Sequence, residues 1–177
     1  LISELNKVKL DYSSSSGLKI VSRAKMPRPA RPAEKIVLGL SMEDKTIARY
    51  VKKELSMEDF LDEGIRLVLQ ELFASMDKGE EFTITKIIHK LNSDAATSLI
   101  CEALTTAENM VDKEKSLKDC IFKIREDNLN FKKEELLTRI REAERSGDAE
   151  TAMGLLKELQ KLDDIKKVLK NSAALKF

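Results

Sequence analysis

The sequence predicts an all-α protein: a globular bundle of about six helices, then a C-terminal antiparallel helical hairpin, with one long connecting helix shared between them. Three observations lead there. From Ala33 onward, apolar residues recur at helical spacing almost without interruption. No stretch alternates apolar and polar residues over a strand's length, and no hairpin turn separates two β-branched runs. The stretch from Ser116 to Leu169 holds one clear turn signal, Ser146-Gly147-Asp148. Gly147 suits the left-handed backbone that ends a helix, and Asp148 suits the cap of the next. So short a connection sets the two helices antiparallel.

In chain order, residues 1–10 begin without Met and form an amphipathic segment through Leu1, Ile2, Leu5 and Val8, read as the end of an upstream element in a longer protein. Residues 11–32 read as a flexible basic linker, with Ser13–Gly17 and all three prolines between Pro27 and Pro32. The globular part is expected over residues 33–131. Ile36, Val37, Leu38 and Leu40 mark a short helix. The tetrapeptide Ser41-Met42-Glu43-Asp44 reads as a cap for a second helix, with Ile47, Tyr50, Val51 and Leu55 inward. The same tetrapeptide at Ser56–Asp59 reads as a reused cap. Phe60 and Leu61 lead into a helix through Ile65, Val68, Leu69, Leu72, Phe73 and Met76, ended by Lys78-Gly79. Thr83 starts a short helix with Ile84, Ile87, Ile88 and Leu91. Ser93-Asp94 opens another with Ala96, Leu99, Ile100, Ala103 and Leu104, and Ser116 is expected to cap the long helix.

That long helix changes its apolar face partway along. At roughly 100° per residue, Leu117, Cys120, Ile121, Ile124 and Phe131 share one side, and Leu136, Leu137, Ile140 and Ala143 lie about 150° around from them. One helix thus serves two packing partners. Asp127–Asn130 is weak helix sequence, so the alternatives are a continuous strut, which is the expectation, or a hinge near Asn128–Asn130. The hairpin spans residues 132–177. Its last helix carries Met153, Leu155, Leu156, Leu159, Leu162, Ile165, Val168 and Leu169, more apolar surface than one neighbouring helix covers.

Composition excludes several classes. The chain is 36% charged and 42% hydrophobic. No segment approaches the roughly 18 apolar residues of a membrane span, so no membrane association is expected. Net charge is +5 over residues 1–33 and −4 over the rest. The folded part therefore lacks the clustered cations of a nucleic-acid interface, and only weak contact through the linker residues Lys19, Arg23, Lys25, Arg28 and Arg31 is expected. Cys101 and Cys120 read as reduced, buried packing residues in a cytoplasmic protein. The lone His89 falls on an exposed face, and no zinc, Walker or dinucleotide pattern occurs. No catalytic or metal site, no cofactor and no small-molecule substrate is expected.

The segment from Ala33 to Leu169 resembles the C-terminal region of bacterial DnaG-type primases. The resemblance is carried by Leu117, Cys120, Ile121, Ile140, Ala143, Glu144, Gly147, Asp148, Leu155, Leu156, Glu158 and Leu162, and upstream by AEKIVLGLSM and the Glu58-Asp59-Phe60 element. It implies a helicase-binding region whose hairpin docks on the N-terminal domains of the replicative DnaB-type helicase, while the globular part modulates that helicase. The family's catalytic acidic residues and zinc-binding set have no counterpart here, so no primer synthesis is expected of this segment alone. On this reading Leu155, Leu159, Leu162 and Leu169 are candidate apolar anchors, and Lys157, Lys161, Lys166, Arg141 and Arg145 are candidate polar contacts. Each leucine has an alternative place inside the hairpin's own core. Two rival functions are a helical domain of the helicase N-terminal type and a helical nucleic-acid-binding module.

Overall fold

The computed structural model describes residues 30–79 and 83–174. The segment 1–10, most of the linker 11–32 and the last three residues lie outside them. All regular structure among the described residues is helical. The elements are α1 (Pro32–Glu43), α2 (Lys45–Glu54), a 3₁₀ turn (Met57–Asp59), α3 (Glu63–Asp77), α4 (Ile84–Leu91), α5 (Asp94–Glu108), α6 (Lys113–Ser146) and α7 (Ala149–Ala174).

Helix α1 is the central post of the bundle. Val37, Leu38, Leu40 and Met42 are buried, and α2, α3, α5 and the first half of α6 pack around it. Its contact with α5 is close. A Cβ at Gly39 would lie 2.2 Å from the Ala103 carbonyl oxygen and 2.9 Å from Ala107 Cβ, so only glycine lets the two backbones approach. The core is completed by Ile65, Val68, Leu69 and Leu72 of α3, Ile100, Ala103 and Ala107 of α5, and Leu117, Ile121 and Ile124 of α6.

The helix ends follow the cap chemistry of the sequence, with two shifts. Thr83, Ser93 and Asp62 cap α4, α5 and α3 by accepting from Lys86, Ala96 and Ile65 N–H. Gly79 takes φ +68 just beyond α3. The two copies of Ser-Met-Glu-Asp diverge. Ser56 and Asp59 form a reciprocal capping box around the 3₁₀ turn. Ser41 caps nothing. It is buried inside α1 and donates to its own helix at Val37 O, 2.7 Å away, while Asp44 caps α2 by accepting from Thr46 N–H at 2.6 Å. Helix α6 begins earlier than Ser116, because Asp112 accepts from Lys115 N–H at 2.9 Å.

Helix α6 runs unbroken for 34 residues, a length of about 50 Å at 1.5 Å per residue. It belongs to the bundle core through Ile124. From Leu129 onward it belongs to a separate cluster made by Leu136, Ile140, Leu155 and Leu162, with Leu159 packed against it. The changeover therefore lies between Ile124 and Leu129, ahead of the expected position between Phe131 and Leu136. Leu129 already points to the hairpin side. Two inward assignments are corrected. Tyr50 is exposed, because the buried stripe of α2 is limited to Ala48 and Val51. Cys101 is exposed, one position around α5 from the buried line of Ile100, Ala103 and Ala107, whereas Cys120 is buried.

Candidate functional site

Two features of the chain position a surface: the joint at the middle of α6, and the hairpin beyond it. The joint is built from the residues with the poorest helix propensity. Asn128 Nδ2 donates to the Asp59 carbonyl at 2.9 Å and to Asp59 Oδ1 at 3.2 Å. Arg31 donates to Asn128 Oδ1 at 3.2 Å, to the Asp59 carbonyl at 3.0 Å and to the buried carboxylate of Glu34 at 2.6 Å. Glu34 also accepts from Leu61 N–H at 2.8 Å and Asp62 N–H at 3.3 Å. Arg31 Nη1 lies 3.7 Å from Asp127. Arg31 was expected in the linker with its charge free for nucleic acid. It points inward instead and joins the start of α1, the 3₁₀ turn and α6, because a fully buried Glu34 requires a cation.

Past the joint, the turn has the geometry its residues predict. Gly147 takes φ +74, its N–H reaches Glu144 O at 3.2 Å, and Asp148 N–H reaches back to Ala143 O at 3.0 Å. Asp148 then caps α7, accepting from Thr151 N–H at 3.0 Å and Thr151 Oγ1 at 2.6 Å. These bonds hold its carboxyl below the usual range. Along the return, Lys133 pairs with Asp163 at 2.7 Å and lowers the Asp163 pKa. Lys166 donates to Asn130 Oδ1. Lys170 comes within 3.8 Å of Glu126. The hairpin is thus tied to α6 along its length.

The surface left over is the outer face of α7. Met153, Leu156, Ile165 and Val168 are 61%, 49%, 57% and 68% exposed. Lys157, Gln160, Lys161 and Asp164 lie exposed between them. Of the expected anchors, Leu155 and Leu162 are buried in the hairpin core, Leu159 packs against that core, and Leu169 is half-buried. Leu155 and Leu162 are corrected from surface anchors to packing residues, since the α6 stripe of Leu136 and Ile140 covers them. Of the expected polar contacts, Arg141, Arg145, Lys157 and Lys161 are exposed, and Lys166 is half-buried on Asn130. The four exposed apolar residues carry a signal in the sequence, helical spacing on the side away from Leu155 and Leu162. Reading it requires knowing which side α6 covers.

Among the described residues, no group of three His, Cys, Asp or Glu side chains is arranged to hold a metal ion, and no helix is long and apolar enough to cross a membrane. His89 is exposed. Burial and the nearby Asp119 push the Cys120 thiol up to about 11, which keeps it protonated and unreactive. No protein-family model matches the chain, and no curated protein matches it.

Proposed function

We propose that this chain is the helicase-interaction region of a bacterial DnaG-type primase, acting as a cytoplasmic tether to the N-terminal domains of a DnaB-type helicase. The observation that carries the reading is the outer strip of α7. Four large apolar side chains stand in water on a hairpin whose own core is already filled. Exposed apolar surface rimmed by charge is the usual mark of a protein–protein site. The Ala143-Glu144…Gly147-Asp148 motif supports the reading, because every position but Glu144's side chain has a structural duty in the turn: Ala143 is buried, Gly147 ends α6 and Asp148 caps α7.

In this proposal the contact residues are Met153, Leu156, Ile165 and Val168, with Lys157, Lys161, Arg141 and Arg145 on the rim. The apolar residues supply affinity, and the cations steer the approach to an acidic partner surface. The unbroken α6 makes the bundle and the hairpin one lever, so that a load on the hairpin reaches the bundle. The tether uses no catalytic group and no cofactor of its own.

The test is a titration of a bacterial replicative helicase with the full chain, with a chain ending at Gly147, and with Met153→Asp/Ile165→Asp. Loss of binding on truncation, and at least about tenfold weakening in the double variant, is the expected result. Undiminished binding by the truncated chain would sink the reading.

A further inference from the structure

The outer face of α7 is complementary to itself. Reflection about the point between Gln160 and Lys161 brings Met153 opposite Val168, Leu156 opposite Ile165 and Lys157 opposite Asp164. In an isologous pair each residue meets its mirror position in the other copy. All six side chains belong to the exposed side of the helix. Lys157 and Asp164 lie two turns apart, about 20° from each other around the cylinder, at the centre of that side. We propose that α7 pairs with α7 of a second copy of this chain, antiparallel, about a twofold axis between Gln160 and Lys161.

The pairing places apolar contacts at both ends and two opposite-charge contacts inside them. Met153 packs on Val168 of the second copy, and Leu156 on its Ile165. Lys157 meets Asp164 of the second copy, and the reciprocal pair repeats the contact. Asp164 is held only by Lys167 of its own helix at 3.4 Å, on the surface, which leaves its carboxylate open to a second cation. The two Lys161 side chains come nearest each other at the axis, where Glu158 of both copies lies on the same side and offsets their repulsion. The antiparallel arrangement carries the two bundles to opposite ends, since each α7 finishes beside its own bundle through Lys170 and Glu126. The paired strip is about 22 Å long. It buries less than a standard interface of about 1,600 Å², so the dimer is weak, with a dissociation constant on the order of 10–100 μM. Self-pairing covers the strip assigned above to a helicase and is measured on the chain alone, so it stands or fails separately from that assignment.

Sedimentation equilibrium across a concentration series tests it, with circular dichroism confirming that each variant is folded. The single reversals Lys157→Asp and Asp164→Lys each place like charges at both inner contacts, and each is expected to weaken the dimer about fivefold to tenfold. The double variant Lys157→Asp/Asp164→Lys restores both contacts with the signs exchanged, and is expected to recover most of the loss. Val168→Asp is expected to leave only monomer. A chain that stays monomeric throughout, a dimer indifferent to both single reversals, or a double variant weaker than either single one would overturn the proposal.

Discussion

The Arg31 guanidinium donates to Asn128 Oδ1 at 3.2 Å, although the two residues are 97 positions apart. Asn128 turns its other amide atom to the backbone of Asp59. A residue that disfavours helix is therefore kept in the middle of a long one because it closes a network that no better helix former completes. Asn128→Leu removes an acceptor from Arg31 and donors from Asp59 without creating a cavity. The expected cost is about 1–3 kcal/mol, read from chemical denaturation. Hydrogen exchange is expected to quicken around the 3₁₀ turn and the start of α1, and to stay unchanged at Leu155.

Gly39 sets the distance between α1 and α5. Gly39→Ala places a methyl group 2.2 Å from the Ala103 carbonyl oxygen, so one helix must move away. Although alanine favours helix, the variant is expected to lose about 2–3 kcal/mol through overpacking. A thermal melt no lower than that of the native chain would show that the helices separate without cost.

Two glycines of the hairpin respond with opposite signs. Neither Gly147 nor Gly154 has an atom within 4 Å of its would-be Cβ, so packing plays no part. Gly147 sits at φ +74, and Gly147→Ala is expected to cost about 1 kcal/mol. Gly154 lies within α7, and Gly154→Ala is expected to gain about 0.5–1 kcal/mol. Helicity followed against temperature distinguishes the two.

Thiol titration of the native chain is expected to show one fast and one protected cysteine. Cys101 is exposed, and Cys120 is buried with its thiol pushed up to about 11. The second thiol should react only after unfolding. Cys101→Ser removes the fast phase and leaves the slow one.

The hairpin is expected to weaken in acid. Asp148 and Asp163 both have lowered pKa values, Asp148 through its bonds to Thr151 and Asp163 through Lys133. A carboxylate whose pKa falls on folding stabilises the folded state above its unfolded pKa, and that contribution is lost as pH drops through the folded one. Helicity of the full chain should thus fall between about pH 5 and about pH 2. Asp148→Ala should be less stable at neutral pH and should show a smaller further loss in acid.

The repeated Ser-Met-Glu-Asp shows how far local sequence reaches. At Ser56 the motif forms the capping box its residues predict. At Ser41 the same four residues continue a helix, because Met42 is drawn into the core and Asp44 caps in place of the serine. Cap chemistry names the candidates, and burial selects among them. The same limit applies to Asp127–Asn130, where propensity left a hinge open. Their side chains found partners on Arg31, Asp59 and Lys166, all distant in sequence, and the helix runs straight through.

The sequence by itself determined the all-α class, the helices of the bundle, the division of labour along α6 and the turn at Gly147, because periodicity, caps and left-handed glycine act within a few residues. Only the tertiary structure decided which side of α7 is left in water. Apolar residues surround that helix, and a helical wheel cannot rank them. Leu136 and Ile140 of α6 cover Leu155 and Leu162, and that one packing choice leaves Met153, Leu156, Ile165 and Val168 as the open face. Burial is a property of pairs of surfaces, and the second surface lies outside the helix that carries the first.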